Sequence, residues 1–386
     1  MKKVFLLVSM VTMLFGILAF QCSSTELTSA KLYINQSLYD KAEESLLKEI
    51  EKNPSSDEAL YLLGWLNGEK GNIEGMLDYF NKSIKVSKKY QDEIKQSRTY
   101  HWATSFNKGV AFYNRATKAT ERDSTNKYLV FASKQFENAI ICEPDSSISY
   151  ENLAYAYISM RENKKAINPL STLVDLKGDA NSYAMLGEVY LNEGISFTNK
   201  FNEGNNIQDS VEAQGYYEKA ISLLEKGRKQ YPDDANILLL LSNSYINANK
   251  VEVAMDAFKA GVEKDPENKY YRYNYGVLLL NAEQFTEAAI QFNKAVEIDP
   301  EYINAVYNLG VTYFRWGVKM RDQAEEQGIE SKEYKDKLQL ALPYLEKYLA
   351  TGEEDANLWD LMGKIYANLG MTEKSEEAFK KADLLR

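Results

Sequence analysis

Few residues in this 386-residue chain have chemistry to offer. His101 is the single histidine, set in TYHWATSF between Tyr100 and Trp102. An imidazole can act as a general base or a metal ligand, but either role needs partners at fixed geometry. No Ser/His/Asp or Cys/His set assembles around His101 from the sequence, and the flanking aromatics point to a packed ring. Cys142, in AIICEP, takes an apolar slot, as a small buried hydrophobe does. The only other cysteine is Cys22, so there is no disulfide framework and no Cys/His metal cluster. The carboxylate pairs Glu43-Glu44, Asp233-Asp234 and Glu353-Glu354 fall on polar faces and turns. There they read as solvated charge or as negative residues near helix N-termini. No phosphate-cradling glycine loop and no His-Glu-x-x-His motif occurs. The chain reads as a non-enzyme, with no catalytic residue, metal or cofactor.

Cys22 belongs to a separate object. Lys2-Lys3 precede a stretch, Val4 to Phe20, that is apolar apart from Ser9, Thr12 and Gly16. This is similar to a bacterial export signal. A cysteine directly behind it also resembles a lipoprotein signal, which implies that Cys22 is acylated and becomes the first mature residue. Ala19-Phe20-Gln21 depart from the usual Leu, small residue and Gly or Ala before that cysteine. Ordinary secretion and an uncleaved anchor therefore stay open, although the apolar run is short of the roughly 20 residues a span requires. If Cys22 carries two or more acyl chains, each buried CH₂ contributes about 0.8 kcal/mol to a stable anchor. SSTELTS then reads as a short, structureless polar tether. The organisation expected is a signal over 1–21, a tether over 22–28 and one folded domain over 29–386. By resemblance to lipoprotein sorting, Ser23 in place of Asp implies the outer membrane, facing the periplasm.

The elements that position everything else follow from a period. Five of the seven prolines, Pro54, Pro144, Pro232, Pro266 and Pro300, share one phase of a 34-residue repeat. Each closes an amphipathic run, as in Ala254, Phe258, Pro266 and again Ala288, Phe292, Pro300. Proline lacks the N–H and disfavours helix in the residue before it, so it marks a helix stop. Nine small residues set the register of the preceding helices: Ala30, Gly64, Gly109, Ala154, Gly187, Ser242, Gly276, Gly310 and Gly363. Three residues on stand Tyr33, Asn67, Phe112, Tyr157, Tyr190, Tyr245, Leu279, Tyr313 and Tyr366. Later in each copy come a small residue (Ala42, Ala132, Ala220) and a large one (Leu46, Phe136, Leu224). This resembles the tetratricopeptide repeat (TPR) family, whose signature is Trp-x2-Leu-Gly-x2-Tyr, then Ala-x3-Phe and Pro. The resemblance implies an all-α fold, a right-handed TPR solenoid of nine helix pairs in which each pair buries its apolar face on its neighbours.

Departures from the pattern carry their own expectations. Around Gly64 the closing proline is missing, and the second helix is expected to run on through VSKKYQDEIKQSRTYHW. Lys108 stands where Leu is usual, and Pro169 and Pro343 imply a kink or a late helix start. Between register and second-helix alanine, 11, 21 and 19 residues are inserted after Gly109, Gly187 and Gly310. The inserts keep helix formers, so three lengthened hairpins are expected. These are either partner-contacting arms or tolerated decoration.

The resemblance further implies that first helices line a peptide-binding groove. The groove positions hold Tyr61, Trp65, Phe106, Tyr155, Tyr273, Tyr307 and Phe314, which offer apolar pockets. They also hold Asn114, Asn192, Asn247 and Asn281, whose amides can grip an extended backbone whatever its side chains. The alternative is that these asparagines cap their helices in left-handed conformation. The lysine that a carboxylate-gripping groove needs is absent from its slot. A net charge of −10 argues against nucleic acid, which demands basic patches. Two functions stay in view: a scaffold binding a protein or peptide at the bacterial envelope, and a glycan-binding outer-membrane lipoprotein. Aromatic Trp316 and Tyr334 in one insert are the only support for the second.

Overall fold

The computed structural model describes residues 24–329, 331–352 and 355–386. The signal over 1–21, Cys22 and the Glu353-Glu354 pair lie outside the described residues. The described residues form eighteen α-helices and no strand.

One compact unit ends at Glu162. It contains α1 (Thr25–Asn35), α2 (Tyr39–Lys52), α3 (Asp57–Glu69), α4 (Ile73–Val86), α5 (Gln91–Ala116), α6 (Arg122–Cys142) and α7 (Ser147–Ser159). A second unit starts at Asn163. It contains α8 (Asn163–Lys177), α9 (Ala180–Gly204), α10 (Ile207–Gln230), α11 (Ala235–Asn247), α12 (Val251–Lys264), α13 (Lys269–Asn281), α14 (Phe285–Ile298), α15 (Ile303–Glu326), α16 (Glu333–Leu349), α17 (Ala356–Asn368) and α18 (Thr372–Leu384). In chain order the helices fall two to each of the nine registers read from the sequence.

Where the register residue is glycine, the hairpin is held by that small residue on the first helix meeting a large one on the second. A Cβ on Gly109 would stand 2.6 Å from Phe136, and one on Gly276 2.8 Å from Phe292. Gly64 meets Phe80 and Gly363 meets Phe379 in the same way. Phe80, Phe136, Phe258 and Phe292 are among the most deeply buried side chains.

Short hairpins reverse by one repeated device. Seven residues past the register the backbone turns left-handed, at Ser37 (φ 58°), Gly71 (76°), Asn249 (55°), Glu283 (56°) and Gly370 (76°). The next N–H donates back across the turn, Asn72 to Asn67 (2.8 Å), Lys250 to Tyr245 (2.9 Å) and Met371 to Tyr366 (2.8 Å). This Schellman arrangement satisfies carbonyls that the helix end would leave open.

The three inserts are helical, as expected. At the same seventh position, Ala116, Gly194 and Gly317 have no left-handed turn, and Gly194 and Gly317 sit well inside longer helices. The small-on-large contact is then repeated one heptad further out. Gly194 packs on Tyr217, and a Cβ on Gly317 would lie 2.9 Å from Leu338. The arms are therefore continuations of the repeat's own packing.

The tyrosine slot ties one repeat to the one before. Tyr157 donates its hydroxyl to Glu137 (2.6 Å) and Tyr245 to Glu225 (3.1 Å). Glu346 holds the corresponding place near Tyr366, and burial, together with the charge of Glu346, raises the pKa of that phenol. In each case the glutamate directly follows the large residue of the preceding second helix.

Three expectations change. The tether is not structureless beyond Ser24: Thr25–Thr28 open α1, because Ser24 Oγ accepts from the Leu27 N–H at 3.0 Å and its hydroxyl contacts Glu49. The helix after Gly64 does not run on. It stops at Val86, where Ser87 is extended (φ −153°, ψ 161°), its hydroxyl bonds Asp57 and its Oγ accepts from Lys89 N–H. Residues Gln91–His101 instead extend the next first helix at its N-terminus. Pro169 and Pro343 do not start their helices late, since α8 opens at Asn163 and α16 at Glu333, well before them.

Filling the Gly276 contact by Gly276→Val should lower unfolding stability by about 1–3 kcal/mol, as overpacking does. Gly204→Ala, whose Cβ meets nothing within 4 Å, should be neutral or stabilising by up to about 1 kcal/mol. Urea unfolding followed by circular dichroism checks both.

Candidate binding surface

The residues with catalytic potential are committed to structure. His101 is 6% exposed, its ring edge-on to Tyr100, and a Cβ on Gly68 would fall 2.5 Å from its Nε2. Burial holds the imidazole below its ordinary pKa of 6.5. It lines a 240 Å³ cleft with Ser105 one turn on, but no hydrogen bond joins the two among the described residues. Cys142 is fully buried, and burial pushes its thiol up to about 11. That leaves almost no thiolate at neutral pH. Arg98 clamps the Cys142 carbonyl with two hydrogen bonds (2.9 and 2.7 Å), closing the end of α6.

The carboxylate pairs cap and pair. Glu43 and Asp40 share Lys70 (2.6 and 2.8 Å), and Glu44 pairs with Lys48 at 2.7 Å. Asp234 accepts from the Ile237 N–H at the start of α11, and Asp233 from Asn268 Nδ2. Among the described residues no group of three or more His, Cys, Asp and Glu is placed to hold a metal ion.

Within the second unit α9, α11, α13 and α15 neighbour one another in turn, so their groove positions form one continuous row. The groove aromatics on the first helices of both units are largely used in packing. Tyr61 stacks on Tyr90 at 4.7 Å, Trp65 meets Tyr39 edge-on at 5.9 Å and Phe106 stacks on Trp102 at 5.8 Å. Tyr307 lies 4.7 Å from Tyr348, and Phe314 packs on the cluster around Leu338 and Met362. These five are half-buried. Tyr155 is the exposed one, at 39%. Tyr273 is not available: it is 8% exposed, wedged against Phe292 and Tyr302, and its hydroxyl accepts from Asn308 Nδ2 at 3.1 Å.

The asparagines divide into two kinds. Asn247 and Asn281 end their helices, yet the left-handed residues are Asn249 and Glu283, two positions on. Their amides instead donate back to carbonyls four residues earlier, of Asn243 (2.8 Å) and Val277 (2.9 Å). Asn368 does the same to Lys364. One donor is thus used within the helix, and the side-chain carbonyl stays free at Asn247 and Asn281. Asn114 and Asn192 lie inside the lengthened helices α5 and α9, exposed, with no side-chain hydrogen bond among the described residues. The sequence did not single out Asn308, although it shares this surface with Asn304 and donates to the Asn304 carbonyl (3.1 Å). Its four-residue spacing from the slots read was the available signal.

A model of the tetratricopeptide repeat matches residues 27–92, 209–268 and 239–303, and another model of the same repeat matches 356–386. The peroxisomal targeting signal receptor of Candida albicans is 23% identical over 194 residues, 45% of this chain and 33% of that protein. The chain thus spans about a third of that relative's length. A tetratricopeptide repeat protein of known structure from Parabacteroides merdae aligns with 74% of this chain and 93% of its own, at 16% identity and TM-score 0.46. YrrB, described as a TPR protein with an unusual peptide-binding site, aligns with 56% of this chain and 92% of its own, at 22% identity and TM-score 0.32. The chain carries tetratricopeptide repeats, and its fold class is the all-α TPR solenoid.

Two measurements check the buried groups. Cys142 should resist alkylation in the native protein at pH 8 and react once urea unfolds the chain. Because the folded His101 pKa lies below the unfolded one, the unfolded chain takes up more protons and stability falls as pH drops below 6.5. In His101→Asn that part of the acid loss should disappear, so the stability gap between wild type and variant narrows on acidification.

Proposed function

We propose that this chain is a non-enzymatic scaffold that binds a protein or peptide partner along its first helices. The observation that carries this reading is the row on α9, α11 and α13, where free amide carbonyls of Asn192, Asn247 and Asn281 succeed one another. Such a row accepts hydrogen bonds from a peptide backbone and ignores the identity of its side chains. The half-buried rings of Tyr307 and Phe314 supply apolar contact beside it. The Candida albicans relative is by name a receptor for a targeting signal, which supports a peptide partner here. The site of action we propose is the bacterial envelope, on the periplasmic side and anchored to the outer membrane through an acylated Cys22. That part rests on Lys2-Lys3, the apolar run Val4 to Phe20, Cys22 and, for the outer membrane, Ser23.

Placing a photo-crosslinking amino acid at Asn192, Asn247 or Asn281 in intact cells tests the partner surface. Discrete protein adducts should form at these positions and not at Lys259, an exposed second-helix control. Adducts equal at all four positions, or none at the three, would contradict it. Run in parallel, Cys22→Ala should move the protein from the membrane fraction to the soluble one. Unchanged membrane association would remove the lipid anchor and leave the scaffold reading standing.

A further inference from the structure

Two tyrosines break the rule that ties successive repeats. Where Glu137 or Glu225 follows the large residue of a second helix, the tyrosine of the next repeat bonds it. At the corresponding places before the two long hairpins of the second unit stand Ser171 and Asn293. There Tyr190 and Tyr313 have no hydroxyl partner among the described residues, and each lines a cavity. The missing carboxylate and the open space coincide.

The first of these cavities is a 680 Å³ groove between the second helices α8 and α10, floored by α9. Its floor is Tyr183, Leu186 and Tyr190. The walls are kept low by Ser171, Gly215 and Ser222, and a Cβ on Gly215 would meet nothing within 4 Å. Along the α10 wall it runs from Gly215 to Lys226, about 17 Å at 1.5 Å per residue. That length suits three turns of a helix laid between two others.

Charge selects the occupant. Lys219 and Lys226 line the α10 wall two turns apart and make no ion pair among the described residues. Lys219 stands over the Tyr216 ring at 4.8 Å. Glu218 on the same wall is already paired with Lys250 at 2.9 Å. Asp175 on the α8 wall is the one unpaired acid. On a chain of net charge −10, a wall with two unpaired lysines and an unsatisfied phenol is a local site for carboxylates.

We propose that this groove docks an acidic amphipathic helix of a partner protein. The apolar face of that helix packs on the half-buried Val174, Tyr190 and Leu223, above a floor that Tyr183 and Leu186 close. One carboxylate takes the place of the missing glutamate and receives the Tyr190 hydroxyl, and others two turns apart meet Lys219 and Lys226. This is helix-in-groove recognition, on a different face from the row of first-helix asparagines. The 460 Å³ cavity at Tyr313, with Lys337 3.6 Å over Trp316, is a second groove of the same construction.

The test uses the full chain and a panel of twelve-residue peptides, apolar on one helical face with Glu along one edge. Counterparts carry Gln for Glu, or a central proline, and binding is read by fluorescence anisotropy. The Glu peptides should bind at least tenfold more tightly than either counterpart. Ser171→Glu rebuilds the tie seen at Tyr245 and Glu225, so the variant should fold normally and lose at least tenfold in affinity. Tyr190→Phe should weaken binding several-fold, and the double charge reversal Lys219→Glu, Lys226→Glu should abolish it. No binding by any Glu peptide, equal binding of Glu and Gln or of proline peptides, or full affinity in Ser171→Glu overturns the proposal. None of these residues belongs to the first-helix row, so the crosslinks at Asn192, Asn247 and Asn281 succeed or fail separately.

Discussion

The fit of a small residue on one helix against a large one on the next is the constraint from which the rest follows. Gly64 on Phe80, Gly109 on Phe136, Gly187 on Leu224, Gly276 on Phe292 and Gly363 on Phe379 bring the two backbones of each hairpin close enough to exclude water. Helix hairpins held this way can be short or long, provided the contact recurs at heptad spacing. Gly194 on Tyr217 and Gly317 on Leu338 meet that condition, and so helices of 25 and 24 residues stand where other repeats have 13. Insertion changes the length of the arm without changing the rule that holds it.

Between repeats a second rule operates, and its exceptions are where binding surfaces open. A tyrosine bonded to a glutamate one repeat earlier closes the seam and satisfies both polar groups. Ser171 and Asn293 leave the seam open next to the long hairpins, with a phenol and lysines at the rim. The first helices offer something else: a weakly charged row of amides at Asn192, Asn247 and Asn281, flanked by half-buried aromatics. Two surfaces of opposite character on one scaffold would let it hold one partner by backbone and another by charge.

Much of this was legible in the sequence because a repeat displays each constraint several times. The register residues, the large slot and the three insert lengths led directly to the helix pairs and the long hairpins. Local chemistry was harder. Ser24 and Ser87 act through a few local hydrogen bonds, one starting a helix and one stopping it, and neither belongs to the repeat pattern. The asparagines were read as caps or as ligands for a peptide. The back-bonds to Asn243 and Val277 fit neither description fully, since they use one amide proton and leave the carbonyl. Tyr273 sits in a groove slot by count, but Phe292 and Tyr302 close over it. The open seam was present in the sequence as Ser171 and Asn293. It became visible only once Tyr157 and Tyr245 showed what a closed seam contains.

Native-state hydrogen exchange across the α9–α10 hairpin tests most directly that repeat packing runs on into the arms. Amides of residues 195–201 and 210–216 should be protected to nearly the level of 186–192, and Gly194→Val should lower protection in the outer segments first. Outer segments exchanging as freely as an isolated helix, with the hairpin base fully protected and Gly194→Val without effect, would contradict the account.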